Sequence, residues 1–460
     1  MKMENFWDFS VWGTFILIGV LLASLLVANI IKKTVPYLQA SLIPTSVLGG
    51  LILLVLSWGY KLFAGEALFD AAVFGGDGFS KLEILTYHTL ALGFIASAFK
   101  KSKNKLTKQR TTEIFNTGVT TVCTYLMQGI LGLGITIIAA QIMTDFFAAA
   151  GVLLPFGYGQ GTGQALNYGG IYENEFGFVG GKSFGLTIAA LGFLSASIGG
   201  VLHLNFLRRR GKLVLANEKE EKFTGEIEED NEIPMQESID KMTVQIALIA
   251  VAYLLTYLLM FGLGELLSGM KSVIYGFNFL LGVLSATLIK LVMNAMMKQG
   301  IIKKEYTNNF LMTRASNLFF DIMVVAGIAA IKLDTLAKYW GIMLILGVSG
   351  AVFTHMYIRF ICKKLFPEYA EEQFLGMYGM LTGTASTGII LLREVDGDFK
   401  TPVADNMVYQ NFPAIVFGFP MMILATLAPV KPVLSLGIFI VFFVMMNVIL
   451  FRSFIFRKKA

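Results

Sequence analysis

The chain is organised around residues 155–170, which read Pro155-Phe156-Gly157-Tyr158-Gly159-Gln160-Gly161-Thr162-Gly163-Gln164-Ala165-Leu166-Asn167-Tyr168-Gly169-Gly170. A weaker version of the same composition occupies residues 376–388, which read Gly376-Met377-Tyr378-Gly379-Met380-Leu381-Thr382-Gly383-Thr384-Ala385-Ser386-Thr387-Gly388. Both runs are rich in glycine and in uncharged hydrogen-bonding side chains, and both lie among long apolar segments. Backbone groups that face lipid without a partner cost several kcal/mol each, so such runs are expected at membrane depth only where protein packs around them or a wet cavity borders them.

The composition is that of a membrane protein. Of 460 residues, 55% are hydrophobic and 15% are charged, and the mean hydropathy of +0.68 is too high for a soluble globular domain. Apolar runs of about 18 or more residues recur along the chain and predict transmembrane helices. The net charge of +6 is gathered in short loops, so it bears on topology and no nucleic-acid partner is expected. The two cysteines are too few for a metal cluster, and no cofactor is expected.

The apolar runs predict an all-α polytopic membrane protein built as an inverted-topology repeat. Each half has five spans plus one re-entrant or broken helix, at 146–167 and 367–392, and an extra C-terminal span follows the second half. The expected spans fall at about 11–31, 43–60, 82–99, 114–140, 183–207, 242–266, 272–297, 313–331, 339–360, 403–428 and 433–452. The predicted domains are a first half at 1–207, a hydrophilic linker at 208–241, a second half at 242–430, and a C-terminal helix with a basic tail at 431–460.

Basic residues at the ends of spans set the expected orientation. Lys32-Lys33, the run from Lys100 to Arg110, and Arg208-Arg209-Arg210 all fall on one side if the N-terminus is outside. This places the linker and the C-terminus in the cytoplasm. The expected location is a bacterial inner membrane, with lipid as a surrounding partner.

The broken segments carry the chemistry that we expect of a binding site. Interrupted helices in corresponding places of two halves are the best sequence pointer to the binding site of a carrier. A half-helix offers carbonyl oxygens to a cation at its C-terminus and N–H groups to an anion at its N-terminus. The candidate residues are Gln160, Gly161, Thr162, Gly163 and Gln164 in the first segment and Thr382, Gly383, Thr384, Ser386 and Thr387 in the second. The competing interpretation is that these small residues only allow close helix packing.

Asp321 adds an ionisable group within a predicted span. A carboxylate at membrane depth is costly and is therefore a functional candidate, here as a ligand of the coupling cation or as a proton carrier. The alternative is a structural pairing with Arg314, which lies two helical turns earlier. Na⁺, the expected coupling ion, would be bound through Thr162, Asp321 and Thr382.

With these residues identified, the chain resembles the bacterial sodium/glutamate symporter family over most of residues 1–430. The resemblance is carried by Ile43-Pro44 with Gly49-Gly50, by Gly159-x-Gly161-Thr162-Gly163, by Ile198-Gly199-Gly200, by Asn317, and by the spacing of Gly376, Gly379 and Gly383. It implies a two-domain carrier with two re-entrant loops, Na⁺-coupled uptake of glutamate, an elevator-like movement and a homodimer. It also implies that Asn317 belongs to the site.

The chain departs from the family pattern at several site positions, namely Tyr158 to Gln160, Gln164, Asp321 and Ser386. Another small organic anion and coupling to H⁺ therefore remain alternatives. A further class is an ion channel, because re-entrant Gly/Thr segments also build selectivity filters. An intramembrane enzyme is a third class, but no nucleophile–base spacing or zinc motif accompanies Asp321 and His88, so we expect no catalytic activity.

Overall fold

The computed structural model describes residues 5–100, 107–211, 239–301, 306–397 and 400–455, and it is all-helical (85% helix), with no β-strand in those ranges. Most of the predicted linker at 208–241, part of the basic run before Arg110, and the basic tail after 455 lie outside the described residues. The helices are α1 (Phe9–Thr34), α2 (Pro36–Ala40), α3 (Thr45–Ala64), α4 (Gly78–Phe99), α5 (Lys108–Ile142), α6 (Leu153–Phe176), α7 (Gly181–Arg209), α8 (Lys241–Leu266), α9 (Lys271–Gly276), α10 (Asn278–Lys298), α11 (Asn309–Ala329), α12 (Trp340–Leu365), α13 (Ala370–Thr382), α14 (Ala385–Arg393), α15 (Val403–Tyr409), α16 (Asn411–Leu427), α17 (Pro432–Leu450) and α18 (Arg452–Ile455).

Ten helices in the described part of the chain are long and apolar enough to cross a membrane. They are α1, α3, α4, α5, α7, α8, α10, α11, α12 and α17. An eleventh candidate is the pair α15–α16, which is bent by 47°. This architecture is consistent with a polytopic α-helical membrane protein, and the helices coincide with the predicted spans to within a few residues. The relation of the two halves as an inverted repeat stays a prediction.

The helices form two compact units, and each unit draws on both halves of the sequence. Unit 1 comprises Met1–Glu83, Leu106–Glu218 and Val324–Ala460, and unit 2 comprises Ile84–Lys105 and Lys219–Met323. Two of the four unit boundaries fall inside α4 and α11, and the other two lie outside the described residues. The division into sequence halves therefore describes the order of elements along the chain, whereas packing groups elements from both halves together.

Unit 2 packs around one apolar cluster, formed by side chains from α4, α8, α10 and α11. Its buried members are Ile95, Ala96, Phe99, Ile249, Ala252, Ala286, Met312 and Ala315. His88 pairs through Nδ1 with the hydroxyl of Tyr253 at 2.6 Å. This histidine therefore has a hydrogen-bond partner within its own unit, as a structural histidine would.

In unit 1, glycines let α5 approach the segment before α6 to backbone contact. A Cβ placed on Gly132 would lie 2.1 Å from the carbonyl oxygen of Gly151, and one placed on Gly151 would lie 1.9 Å from that of Gly132. No real Cβ tolerates such distances, so both positions require glycine. Thr136 completes the junction by donating to Ala148 O (2.7 Å) and accepting from Gly151 N (3.1 Å).

We expect Gly132→Ala to lower the melting temperature of the purified protein, because the new methyl group must push the two backbones apart, at a cost of roughly 1–3 kcal/mol. The matched control is Gly134→Ala on the same helix, where a Cβ meets no atom within 4 Å. That control should leave stability unchanged or raise it, since alanine favours a helix over glycine by about 1 kcal/mol. Equal melting temperatures for the two variants would contradict this account of the junction.

Candidate functional site

The first broken segment is a hairpin, here called hairpin 1, with arms at 153–160 and 162–176. Its tip is Gly161, whose φ of 77° and ψ of −170° interrupt the helix. The rings of Phe156 in the first arm and Tyr168 in the second stack with centroids 3.8 Å apart, which shows that the arms lie side by side. Just outside the arms, Phe147 and Phe178 also stack, at 4.7 Å. The segment therefore returns to the side from which it started.

The second broken segment is a hairpin too, here called hairpin 2, with α13 and α14 as its arms and Gly383-Thr384 as its tip. Glycines bring the arms into backbone contact. A Cβ on Gly379 would lie 2.7 Å from Gly388 Cα, and one on Gly388 would lie 2.3 Å from Gly376 O. Both hairpins thus fold back on themselves at a glycine tip.

The two hairpins approach each other from opposite ends of α5. Hairpin 1 lies along the half of α5 nearer Ile142, and its first arm reaches Tyr125, whose hydroxyl donates to Gly159 O at 2.9 Å. Hairpin 2 lies along the half nearer Lys108 and reaches Gln128, whose Nε2 donates to Leu381 O at 2.9 Å. Since Tyr125 and Gln128 are one turn apart near the midpoint of α5, the tips meet there.

Helices α7 and α12 show the same end-to-end order. Along α7, Gly185 packs against Ala165 of hairpin 1, and Gly199 packs against Tyr378 of hairpin 2. Along α12, the carbonyl of Gly347 accepts a hydrogen bond from Tyr158 of hairpin 1 at 2.6 Å. Farther along α12, His355 stacks edge-on to Tyr378 of hairpin 2. Helices α5, α7 and α12 therefore each contact hairpin 1 toward one end and hairpin 2 toward the other.

The tips lie close together. A Cβ on Gly161 would lie 3.6 Å from Thr384 Cγ2 and 3.9 Å from Gly383 O. Thr162 packs against Gly327 near the end of α11, where a Cβ would lie 2.7 Å from Thr162 Cβ. The crossing of the tips is the candidate functional site.

Helix ends at the crossing supply partial charges of both signs. The last carbonyls of a helix lack intrahelical donors, and the first N–H groups lack intrahelical acceptors. The carbonyl ends are Gln160 in hairpin 1 and Thr382 in hairpin 2, and the N–H ends begin at Thr162 and Ala385. At the latter, Thr384 caps α14 by accepting from Thr387 N at 3.4 Å. The crossing therefore combines ends that suit a cation with ends that suit an anion.

The arms near the crossing carry no acidic or basic side chain. Residues 153–172 and 374–392 contain no Asp, Glu, Lys, Arg or His. Within these arms, the groups that can recognise charge are backbone dipoles and neutral side-chain oxygens and amides.

Gln164 is the most informative side chain at the crossing. It lies in the first turn of the second arm of hairpin 1, and only 1% of its surface is exposed. Neither its Nε2 nor its Oε1 has a hydrogen-bond partner. A buried amide without partners costs about 1–3 kcal/mol, so Gln164 is the side chain of the crossing that has both a donor and an acceptor available for a bound solute.

The remaining predicted site residues fall into two sets. Thr162, Thr382 and Thr387 are buried at the tips, Gln160 and Thr384 are partly buried, and Ser386 is exposed. Thr382 uses its proton within its own helix, donating to Tyr378 O at 2.7 Å. Asn317 and Asp321 lie on the part of α11 that belongs to unit 2, and both side chains are exposed. Their participation in the site stays a prediction.

Tyr125 and Gln128 complete the site, and sequence reasoning did not select them. Each donates to a carbonyl at the end of a broken helix, so each satisfies a group that the break leaves open. Both lie in an ordinary apolar span. The only available signal was a glutamine at the centre of that span, which is costly in lipid and calls for a partner.

Two surface cavities of unit 1 lie away from the crossing. One of about 480 Å³ is bordered by Gln39, Arg208 and Glu394, and one of about 300 Å³ by Lys61, Glu66 and Lys332. We place the site at the crossing because the orphaned amide and the helix ends converge there. Thr162, Gln164 and Thr382 are buried there, whereas Ser386 at the start of the second arm of hairpin 2 is exposed.

We expect Gln164→Met to leave the melting temperature without added ligand unchanged or higher, because it removes two polar atoms that make no bond. The matched control is Gln245→Met in unit 2, which is equally buried at 1%. That amide donates to Tyr306 O at 2.7 Å and accepts from Asn308 N at 3.0 Å, so its loss should cost roughly 1–3 kcal/mol. A similar loss of stability in both variants would show that Gln164 has structural partners.

No known protein-family model matches this chain. A comparison with curated protein sequences likewise gives no significant match.

Proposed function

We propose that the protein is a secondary active transporter that couples the uptake of glutamate, or of a related small anionic amino acid or carboxylate, to Na⁺. The observation that carries the proposal is the crossing, where two hairpin tips from opposite ends of α5 meet beside the unpartnered amide of Gln164. Binding sites made of discontinuous helices near the membrane midplane are typical of secondary carriers.

The chemistry of the crossing supports an anion together with a cation. The N–H ends at Thr162 and Ala385 suit a carboxylate, and Gln164 offers both a donor and an acceptor to a polar solute. The carbonyl ends and the hydroxyls of Thr162 and Thr382 suit a small hard cation such as Na⁺. Since no acidic or basic side chain lies in the nearby arms, each ion offsets the charge of the other and raises its affinity reciprocally.

The proposal includes the finer features that the family resemblance implies. The carrier works as a homodimer of inverted-repeat subunits in a bacterial inner membrane, with the N-terminus outside and the C-terminus in the cytoplasm. The site moves by an elevator-like displacement that occurs when both ions or neither are bound.

The test is uptake of radiolabelled glutamate into proteoliposomes under an inward Na⁺ gradient. We expect accumulation that saturates with glutamate and that stops when choline replaces Na⁺. Accumulation that ignores Na⁺ but follows a proton gradient would replace Na⁺ with H⁺ as the coupling ion. Ohmic currents without accumulation would replace the carrier with a channel.

We expect Gly161→Ala to reduce the initial uptake rate about tenfold. The backbone of Gly161 lies in a region that is essentially reserved for glycine, and forcing another residue there costs roughly 1–3 kcal/mol, where about 1.4 kcal/mol is a factor of ten. Gly134→Ala serves as the control, because a Cβ there meets open space. Normal uptake by Gly161→Ala would remove the tip of hairpin 1 from the transport site.

A further inference from the structure

The larger of the two surface cavities of unit 1, here called the α2–α7 cavity, lies between the short helix α2, the last turns of α7 and the end of hairpin 2. Its polar lining consists of Gln39 from α2, Asn205 and Arg208 from α7, and Glu394, which follows α14. Its volume of about 480 Å³ is typical of small-molecule sites, which have roughly 300–1,000 Å³. The proposed transport site uses none of these residues.

Two observations place the α2–α7 cavity at the boundary between membrane and water. The apolar span α7 ends in Arg208 and Arg209, and basic residues flank the ends of transmembrane helices. Tyr37 of α2 is exposed, and tyrosine is enriched at the membrane–water interface. The cavity is therefore within reach of lipid headgroups.

Along α7, the lining of the cavity changes from apolar to polar. Val201 and Leu204 come first, and Asn205 and Arg208 follow. This i, i+3, i+4, i+7 spacing puts all four residues on one face of the helix, over a length of about 10 Å. Since Arg208 marks the end of the span, the apolar residues lie deeper in the membrane. A ligand that matches this order has a polar group at the interface and an apolar part below it.

Two residues that line the α2–α7 cavity are charged, and their charges are opposite. They are Arg208 and Glu394. Neither side chain has an ion-pair or hydrogen-bond partner among the described residues. Glu394 is half-buried, and this burial raises the pKa of its carboxyl group, with no hydrogen bond or neighbouring charge to oppose the shift. The cavity thus holds an unpaired cation and an unpaired anion.

Other basic groups near the cavity are engaged elsewhere. Lys32 donates to Ile43 O at 2.6 Å, and the guanidinium of Arg210 lies over the ring of Phe206 at 4.2 Å. Arg208 is therefore the cation available to a ligand in the cavity.

Opposite charges in one cavity favour a zwitterionic ligand. A purely anionic ligand would pair with Arg208 but would be repelled by Glu394, and a purely cationic ligand would meet the reverse. The guanidinium of an arginine matches the geometry of a phosphate group. A primary ammonium has three N–H donors, for which Glu394 and the amide oxygens of Gln39 and Asn205 are acceptors.

The lining also distinguishes a primary ammonium from a quaternary one. Proteins recognise choline-type groups with cages of aromatic side chains. None of the nine described residues that line the cavity is aromatic. The carboxylate and the amide oxygens instead suit an ammonium that donates hydrogen bonds.

We propose that the α2–α7 cavity binds the headgroup of a phosphatidylethanolamine lipid, with the phosphate at Arg208 and the primary ammonium at Glu394. Val201 and Leu204 then contact the apolar part of the lipid. Leu42, which also lines the cavity, packs against the apolar core of hairpin 2. The bound lipid therefore joins α2 and α7 to the base of hairpin 2. This site is separate from the crossing of the tips and does not depend on which solute the protein transports.

The test is native mass spectrometry of the delipidated full-length protein, titrated with three phospholipids that share the same acyl chains. The headgroups are phosphoethanolamine, phosphocholine and phosphoglycerol. We expect the first lipid to bind about tenfold more tightly, or by about 1.4 kcal/mol, when its headgroup is phosphoethanolamine. Equal affinities for the three lipids would overturn the proposal, and this comparison needs no variant.

Two variants assign the two charges of the headgroup. Glu394→Gln should abolish the preference for phosphoethanolamine over phosphocholine and should strengthen binding of the anionic phosphoglycerol lipid. Arg208→Gln should weaken binding of the phosphoethanolamine lipid about tenfold. The matched control is Arg209→Gln, because Arg209 belongs to the same basic run and does not line the cavity. An equal loss in Arg208→Gln and Arg209→Gln, or an unchanged preference in Glu394→Gln, would contradict the assignment.

Soluble phosphoethanolamine tests whether the ligand is a lipid. At the concentration of the lipid it should not displace the bound lipid, because it has no apolar part to contact Val201 and Leu204. Full displacement would show that a water-soluble zwitterion occupies the cavity, and it would overturn the lipid assignment. Failure of Na⁺-driven glutamate uptake, with the lipid preference intact, would reject the transport function alone.

Discussion

The structure of unit 1 depends on satisfying two interrupted stretches of backbone that are buried inside the protein. At each hairpin tip the ladder of helix hydrogen bonds stops, and the last carbonyls and first N–H groups lose their partners. Lipid offers no replacement. Tyr125 and Gln128 of α5 supply donors to one carbonyl of each hairpin. The long α5, which spans both hairpins, is therefore the element that makes two buried tips possible.

The buried tips also require that the surrounding helices pack closely against the hairpins. Glycines on α5 and α7 allow this close packing. Along α5, the pair Gly132 and Gly151 brings backbone against backbone. Along α7, a Cβ on Gly192 would lie 2.4 Å from the carbonyl of Thr382 at the second tip. Because no side chain separates these backbones, they make dispersion contacts. Such contacts replace the hydrophobic driving force that is missing between helices in lipid. The glycines thus serve both interpretations weighed from the sequence: they allow close packing, and that packing positions the tips.

The sequence predicts the individual helices better than the way in which they group into two compact units. Hydropathy and length locate the spans to within a few residues, because a span must match the thickness of the hydrocarbon layer. The glycine and threonine runs locate both breaks, at Gly161 and at Gly383-Thr384, because glycine adopts the backbone conformations that interrupt a helix more readily than other residues. The two units could not be predicted, since two of their boundaries fall inside α4 and α11, and each of these helices is a single apolar span in the sequence.

The candidate site likewise shows that local sequence patterns locate elements but not the long-range contacts between them. Residues chosen for their place in the broken segments, such as Thr162 and Thr382, lie at the crossing. Tyr125 and Gln128 act from a neighbouring helix through single hydrogen bonds, and such partnerships are long-range contacts that no local pattern encodes. The unpartnered state of Gln164 is also invisible in sequence, because it depends on what surrounds the amide after folding.

A neutral, buried crossing determines which solutes it can accept. An anion taken alone into this environment would lose its hydration, and the backbone dipoles at two helix ends would offset only part of that loss. A cation at the adjacent carbonyl ends restores neutrality, so the pair enters at lower cost than either ion alone. The lack of fixed charge in the arms makes binding of the anion depend on the cation, because a lysine or arginine at the tips would hold the anion without one. The absence of such side chains between 153 and 172 and between 374 and 392 is therefore the feature that ties the affinity for one ion to the presence of the other.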